Sequence, residues 1–265
     1  MRAKPPPAGQ PLREDGRTAA RLRPIKIVRG VLRHAEGSAW IRLGRTQVLC
    51  AVTVEDKLPP WMRGRQQARG RGWITAEYGM LPRSVPERAA RGRVSGRSFE
   101  IQRLIGRSLR AVTDLDALGE RTLIIDCDVL EADGGTRVAS VTGAWIALSD
   151  AIDRLRAEGR LPHGGPDPRK GRVAAVSVGL VDGRPLLDLC HTEDMRAQVD
   201  LNVIGASDGR MVEIQGATEG EPFEEKELPR MLRLGRRGLA AMFRAQERAL
   251  AAPPAGAGTA LIRKP

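Results

Sequence analysis

The first patterned part of the chain consists of three short apolar segments separated by polar or glycine-containing turns. Residues 25–30, 38–44 and 46–54 have the sequences IKIVRG, SAWIRLG and TQVLCAVTV, with turns such as HAEG and LGRT between them. Apolar and β-branched residues bounded by turn residues are typical of strands. Because the connections are short, the pattern predicts a three-stranded antiparallel meander.

The remainder of the chain alternates strand-like and helix-like patterns. Strands are predicted at 73–78, 122–130, 173–181, 185–190, 198–205 and 210–215. Three helices are predicted from apolar residues at helical spacing, which are Ile101, Leu104, Ile105 and Val112; Val141, Ala144, Trp145, Leu148, Ile152 and Leu155; and Leu228, Met231, Leu232, Leu239, Met242 and Phe243. Strands followed by helices thus occur twice, which predicts an α/β architecture of two related halves.

Charge is distributed unevenly along this pattern. The 265 residues have a net charge of +12, with 38 arginines and six lysines. Residues 57–110 alone carry +10, whereas residues 111–265 carry −4. A concentrated basic block beside an acidic half is typical of a polyanion-binding surface next to a cation-binding centre. The arginine bias favours bidentate contacts with phosphate, although a GC-rich genome would produce the same bias.

The basic block contains an irregular segment, residues 57–72, which is predicted to be an exposed loop. Its arginines are Arg63, Arg65, Arg69 and Arg71. We expect them to contact the backbone of a nucleic acid, and to do so in a salt-sensitive manner, because aromatic residues make up only 3% of the chain. The alternative is a charged surface loop that contacts nothing.

The sequence Asp133-Gly134-Gly135-Thr136-Arg137 lies between a predicted strand and a predicted helix. Two glycines allow the backbone to approach an anion closely, and the first amides of the helix are unsatisfied donors. The hydroxyl of Thr136 and the guanidinium of Arg137 add further donors. The segment therefore predicts an anion site, and the alternative is an ordinary turn with Thr136 as the helix N-cap.

Acidic residues are concentrated further along, at Asp188, Glu193, Asp194 and Asp200. Hard divalent cations need converging oxygen ligands, and carboxylates on successive strands of a hairpin can converge. A metal site is therefore one interpretation of these residues. Solvated carboxylates on surface turns are the other.

Other chemistries find little support in the sequence. Cys50, Cys127 and Cys190 are far apart and lack metal-ligand spacing, so each is predicted to be a small core residue. His34 and His191 have no nucleophile partner that spacing identifies. The chain contains neither an apolar run long enough to span a membrane nor a signal-peptide core, which predicts a cytoplasmic protein that does not contact membranes.

Six blocks, in order, resemble the ribonuclease PH family of phosphate-dependent 3′-exoribonucleases. They are GWITAEYGMLPRS (72–84), SGRSFEIQRLIGRSLRAV (95–112), DCDVLEADGGTRVASVTGA (126–144), VAAVSVGLV (173–181), EDMRAQVDLNVI (193–204) and EIQGATEGEPF (213–223). The resemblance implies the ribonuclease PH-type α/β fold, with residues 21–250 as a single domain in a homohexameric ring, a trimer of dimers. Residues 1–20, basic and rich in proline, and residues 251–265 are predicted to be flexible tails.

The resemblance also implies roles for the candidate residues. Arg97, Gly135, Thr136 and Arg137 would bind phosphate, Asp194 and Asp200 would be catalytic and bind Mg²⁺, and the arginine-rich loop would bind tRNA. The implied reaction is 3′-to-5′ phosphorolysis of tRNA precursors and other RNA 3′ ends, with inorganic phosphate as co-substrate. Nucleoside diphosphates would be the products, and nucleotide addition the reverse reaction.

Two departures from the family pattern limit this transfer of roles. The loop RGRQQARGRG is longer than usual, so individual RNA-contacting arginines cannot be assigned from it. Met195, Arg196 and Gln198 replace the small and acidic residues more usual between the two acids. The alternative function is a non-catalytic RNA-binding subunit of a ring, but such a subunit need not keep both the phosphate-binding residues and the two acids.

Overall fold

Two β-sheets form the body of the protein. The computed structural model describes residues 13–64, 69–91, 95–218 and 220–255. The first sheet contains β1 (Ile25–Arg29), β2 (Gly37–Leu43), β3 (Thr46–Glu55), β4 (Trp73–Met80) and β5 (Thr122–Glu131). The second contains β6 (Val173–Val181), β7 (Arg184–Leu187), β8 (Ala197–Ala206) and β9 (Met211–Thr218). The helices are α1 (Gly96–Ala111), α2 (Leu115–Leu118), α3 (Thr136–Ala157), α4 (His191–Asp194) and α5 (Glu227–Ala251).

The first sheet has the strand order β1-β2-β3-β5-β4. The antiparallel pairing of β1 with β2 and of β2 with β3 confirms the predicted meander. β4 pairs in parallel with β5, because the chain crosses back through α1 and α2 before it re-enters the sheet. The second sheet, in the order β7-β6-β8-β9, is antiparallel throughout.

Helix α3 packs against β2 and β3 of the first sheet and against β6 of the second. Its side chains are buried around most of its circumference, which is typical of a helix inside a core. Gly37 allows the closest approach, since a Cβ atom there would lie 2.0 Å from the carbonyl oxygen of Ala147. Helix α3 is therefore packed between the two halves of the molecule.

Helix α5 covers the second sheet with one apolar face. Met231, Leu239 and Met242 are buried against β6 and β8 residues, whereas the arginines of this helix are exposed. This amphipathic pattern is the one from which the helix was predicted. Two four-residue helices, α2 and α4, are too short to produce such a periodicity, so the sequence pattern does not predict them.

The cysteines divide into two groups. Cys50 and Cys127 are buried, as predicted, and lie directly opposite one another on β3 and β5, with a distance of 3.8 Å between their Sγ atoms. Cys190 is only partly buried and is the N-cap of α4, so the prediction of a core position is wrong for this residue. Its place at the start of a helix, rather than in a strand, accounts for the difference.

The N-terminal tail predicted over residues 1–20 also needs correction for its second half. Arg13 and Arg17 are 5% and 6% exposed, because their guanidinium groups bind carboxylates of the folded body. Residues 1–12 and 256–265 lie outside the described residues. The other boundaries of the proposed domain, residues 21–250, stay a prediction.

Candidate active site

A cleft of about 370 Å³ opens where the start of α3 meets the second sheet. The predicted site residues that line it are Arg97, Gly135, Thr136, Arg137, Asp194 and Asp200. They come from α1, the β5–α3 connection, α3, α4 and β8, which are distant in sequence. The structure thus brings the predicted phosphate-binding and carboxylate residues together in one place.

The β5–α3 connection forms an anion cradle from backbone alone. Gly134 and Gly135 have φ values of +73° and +69°, and a Cβ atom on Gly134 would lie 2.6 Å from the carbonyl oxygen of Leu189. Gly135 is the N-cap of α3 and provides no side-chain cap, so the alternative with Thr136 as N-cap is wrong. The first amides of α3 are therefore left for an anion, at the positive end of the helix dipole.

Two side chains at the cradle are held by neighbouring groups. The Thr136 hydroxyl accepts a hydrogen bond from the Tyr78 hydroxyl at 2.9 Å, in a buried position. The Arg137 guanidinium donates to the side-chain oxygens of Gln215 at 3.0 Å and Glu100 at 3.3 Å. These contacts orient the guanidinium at the cleft before any ligand binds.

Arg97 enters the same cleft from the first turn of α1, which begins after the N-cap Ser95. The Ser95 side chain accepts a hydrogen bond from the Ser98 amide at 3.1 Å and so defines where the helix starts. The Arg97 side chain is exposed, unlike that of Arg137. A ligand in the cleft can therefore be approached by guanidinium groups from two different helices.

The two acids do not lie on successive strands of a hairpin, as the sequence suggested. Asp194 ends helix α4, and Asp200 lies on β8. Burial raises the pKa of Asp200, and the neighbouring charge of Asp194 raises it further, while Arg137 and Arg97 oppose the shift. A carboxyl group with a raised pKa is suited to carrying a proton.

Among the residues with described positions, no group of three or more His, Cys, Asp or Glu side chains is arranged to hold a metal ion. Asp194 and Asp200 nevertheless face one cleft and repel each other, and a divalent cation would relieve this repulsion. Mg²⁺ is usually held by one or two carboxylates together with substrate phosphates and water. The two acids fit such a cation.

A buried ionic network connects the cradle to α4, and sequence reasoning missed it. The Asp188 carboxylate, 1% exposed, accepts hydrogen bonds from Arg17 at 3.1 Å and from Arg23 at 2.6 Å. Arg23 also donates to the carbonyl oxygens of Asp133 and Gly134. Arg23 therefore ties the β5–α3 connection to the segment that leads into Asp194.

The same network extends along α4. Arg13 forms two hydrogen bonds with the Glu193 carboxylate, and this contact holds the pKa of Glu193 at about 2, against the opposing effect of burial. The Asp133 side chain accepts a hydrogen bond from the His191 amide at 3.1 Å. Asp188 and Glu193 are thus structural acids, and only Asp194 and Asp200 face the cleft.

Other residues of the cleft were not predicted as site residues. They are Met80, Val85, Pro86, Ala132, Ser177, Leu189, His191, Met195 and Asn202. His191 was examined only for a nucleophile partner. Asn202, whose side chain donates to Asp200 at 3.4 Å, is the second residue after that acid along the same strand. Its position on the same strand face is the one signal that could have identified it.

The arginine-rich loop lies at the opposite end of β4 from this cleft. β4 begins at Trp73, next to the loop, and ends at Met80, which lines the cleft; eight strand residues span roughly 23 Å. Arg63 and Arg69 line a separate cleft with Glu120. Arg71 lies 3.7 Å from the Asp116 carboxylate, and Arg65 lies outside the described residues.

Comparison with known proteins agrees with this architecture. Residues 21–152 match the 3′ exoribonuclease family, domain 1, and residues 171–238 match domain 2 of the same family. Ribonuclease PH of Parasynechococcus marenigrum (strain WH8102) is 54% identical over 247 residues, which cover 92% of this chain and 96% of that protein.

Solved structures share the fold at lower identity. An Archaeoglobus fulgidus exosome with RNA bound to the active site has a TM-score of 0.76 and 23% identity, covering 88% of this chain and 91% of that chain. Rice (Oryza sativa) Rrp46 has a TM-score of 0.70 and 21% identity, covering 90% and 98%. At these identities the likeness concerns the fold alone.

A cleft that brings helix amides, guanidinium groups and two carboxylates together, on a fold of two sheets, is typical of an enzyme that acts on phosphate groups. The family matches make the class specific. The chain belongs to the ribonuclease PH family. The predicted fold and the predicted phosphorolytic 3′-exoribonuclease activity, with phosphate as co-substrate and RNA as substrate, are thereby confirmed.

One further observation concerns membranes. Over the described parts of the chain, no helix combines the length and the apolar character that crossing a bilayer requires.

Proposed function

We propose that the cleft at the start of α3 carries out the phosphorolysis, with Arg97, Arg137 and the amides around Gly135 and Thr136 holding the attacking phosphate. The observation that carries this proposal is the convergence of these groups with Asp194 and Asp200 in one cleft. A water nucleophile would need no such cradle. A non-catalytic subunit would need neither the cradle nor the acids.

The chemical obstacle is repulsion between two anions. Inorganic phosphate must bring one oxygen to the phosphorus of the last phosphodiester of the RNA, and the bond from that phosphorus to the 3′ oxygen must break. Guanidinium groups and helix amides lower the repulsion and are already oriented, so little reorganisation is needed during the reaction. The products are a nucleoside diphosphate and an RNA shortened by one nucleotide with a free 3′ hydroxyl.

The leaving 3′ oxygen needs a proton. Asp200 is suited to supply it, because burial and the charge of Asp194 raise its pKa and so extend the protonated form towards neutral pH. The Asn202 amide, which donates to the Asp200 carboxylate, orients the group. Water bound to a divalent cation is the alternative donor.

When both acids are ionised, Asp194 and Asp200 would hold Mg²⁺, which would supply positive charge next to the scissile phosphate. The proposed assembly is a homohexameric ring, a trimer of dimers, and its measured mass in solution would test this directly. The proposed substrates are the 3′ ends of tRNA precursors, and the proposed location is cytoplasmic.

The test of the proposed reaction is its dependence on phosphate. The protein is incubated with a 3′-extended tRNA and Mg²⁺, with and without inorganic phosphate, and the released nucleotides are identified. We expect nucleoside diphosphates, and only when phosphate is present. Release of nucleoside monophosphates without phosphate would contradict phosphorolysis and indicate hydrolysis.

The arginine-rich loop has a separate test. Replacing Arg69 with alanine should weaken RNA binding. It should also make the negative slope of log K against log salt less steep, by about 0.7 for a single strand or 0.9 for a duplex. Arg210→Ala is the control, because Arg210 is equally basic but lies on the β8–β9 turn and is paired with Asp208. An unchanged slope for Arg69→Ala would favour a loop that contacts only solvent.

A further inference from the structure

We infer that a second basic cleft, between residues 18–25 and helix α5, binds the phosphodiester backbone of the RNA substrate upstream of its 3′ end. This α5 cleft has a volume of about 510 Å³ and is lined by Arg21, Arg237, Arg244 and Arg248. The inference rests on the proposed function for the presence of an RNA 3′ end in the active-site cleft. It adds a binding surface in a part of the chain whose net charge is negative.

The charges of these four arginines are not balanced within the described structure. No acidic side chain with a described position lines the α5 cleft, and none forms a salt bridge with any of the four guanidinium groups. Other arginines near this helix are paired: Arg230 with Glu227, and Arg172 with Glu247. Like charges gathered around one cleft repel each other unless an anion lies between them.

The arginines on α5 have the spacing of a stripe along one helix face. Residues 237, 241, 244 and 248 follow the i, i+4, i+7, i+11 pattern, and the small side chain of Ala241 keeps the middle of the stripe open. At 1.5 Å per residue the stripe is roughly 16 Å long. Several guanidinium groups in a row suit an extended polyanion better than a single small anion.

The position of the α5 cleft connects it to the reaction. Arg23 lines this cleft, and its guanidinium also donates to the carbonyl oxygens of Asp133 and Gly134 in the phosphate-binding loop. One side chain therefore separates the α5 cleft from the cradle. The arginine-rich loop, by contrast, lies at the far end of β4 from the cradle. The α5 cleft is placed to hold backbone close to the reacting 3′ end, whereas the loop contacts a more distant part of the RNA.

An alternative occupant is an acidic surface on a second copy of the chain. The exposed acids of this protein are mostly paired with arginines of their own, as Asp208 is with Arg210 and Asp167 with Arg169. RNA phosphates have no such competing partners. The experiment below separates the two occupants.

The test uses the full-length protein and a 3′-extended tRNA in phosphate-free buffer, with binding measured by fluorescence anisotropy at several salt concentrations. In the triple variant Arg237→Gln, Arg244→Gln and Arg248→Gln, the negative slope of log K against log salt should become less steep by about 2 to 2.7, because three phosphate contacts are lost. Its affinity deficit relative to the parent protein should therefore shrink by about 20- to 40-fold when salt rises fourfold. Arg244→Gln alone should reduce the magnitude of the slope by about 0.7 to 0.9, the value for one phosphate contact.

Arg236→Gln is the matched control, since Arg236 is an exposed arginine on the same helix but does not line the cleft. Its slope should equal that of the parent. A lowered slope at unchanged oligomeric mass supports the inference. An unchanged slope in the triple variant overturns it, and so does a change in oligomeric mass, which would assign the cleft to a subunit interface.

Phosphorolysis of a four-nucleotide RNA by the parent protein is measured in parallel. Absence of that activity would contradict the proposed function without bearing on RNA binding. An unchanged salt slope in the triple variant, with the parent active, would contradict the α5 cleft alone.

Discussion

Replacing Arg97 with alanine should abolish most phosphate-dependent trimming, a loss of about 10²- to 10³-fold in rate, while RNA binding stays largely intact. The physical reason is that, in the proposed reaction, Arg97 neutralises the attacking phosphate rather than holding the RNA, and loss of one charge-stabilising donor typically has an effect of this size. The measurement is single-turnover trimming of a 3′-extended tRNA over a range of phosphate concentrations, together with RNA binding in the absence of phosphate.

Arg103→Ala is the matched control for this variant. Arg103 is another exposed arginine of α1, six residues further along the helix, and it does not line the cleft. Its replacement should leave the rate and the phosphate dependence unchanged. If Arg97→Ala reduced RNA binding as much as trimming, Arg97 would belong to the RNA site instead.

Replacing Asp188 with alanine should lower the free energy of unfolding by about 3–5 kcal/mol. The Asp188 carboxylate is buried and accepts hydrogen bonds from Arg17 and from both the backbone amide and the guanidinium of Arg23. Its loss deprives two buried guanidinium groups of the buried carboxylate that they share. Urea unfolding of parent and variant at equal protein concentration measures the change, since subunit association affects the midpoint.

Asp182→Ala is the control for backbone conformation. Asp182 and Asp188 are the two described residues other than glycine with positive φ, at 50° and 59°, so both variants place alanine in the same strained region. The Asp182 side chain, however, is 69% exposed and pairs with Arg196 at the surface. Such an exposed ion pair contributes only about 0–1 kcal/mol to the free energy of unfolding. A loss for Asp188→Ala no larger than that for Asp182→Ala would show that the buried network contributes little.

The elements of this fold were predictable where their signals are local. Alternation along β1 to β3 and helical spacing along α1, α3 and α5 depend on neighbouring residues, so the chain itself carries them. Helix α4 has four residues and no room for a period. The pattern therefore predicts only a connection between the strands at 185–190 and 198–205, and the helical turn that ends at Asp194 is visible only in the structure.

The charge of the chain was also predictable only in part from the sequence. The +10 block over residues 57–110 was visible as a sum along the chain, but part of it lies at the far end of β4 from the cleft. The basic face of α5 was hidden, because it lies within residues 111–265, whose sum is −4. A sum along the chain cannot reveal a basic helix face when acidic residues elsewhere in the same segment outnumber the basic ones.

By itself, the sequence determined the type and order of the main elements, the glycine-rich turn before α3, and the family to which the chain belongs. Only the tertiary structure decided which acids face the cleft and which are buried, with Asp188 and Glu193 bound to arginines from residues 13–23. It also decided that Arg97 and Arg137 meet Asp200. The physical reason is that local periodicity acts between neighbours, whereas ion pairs and clefts join residues that lie far apart along the chain.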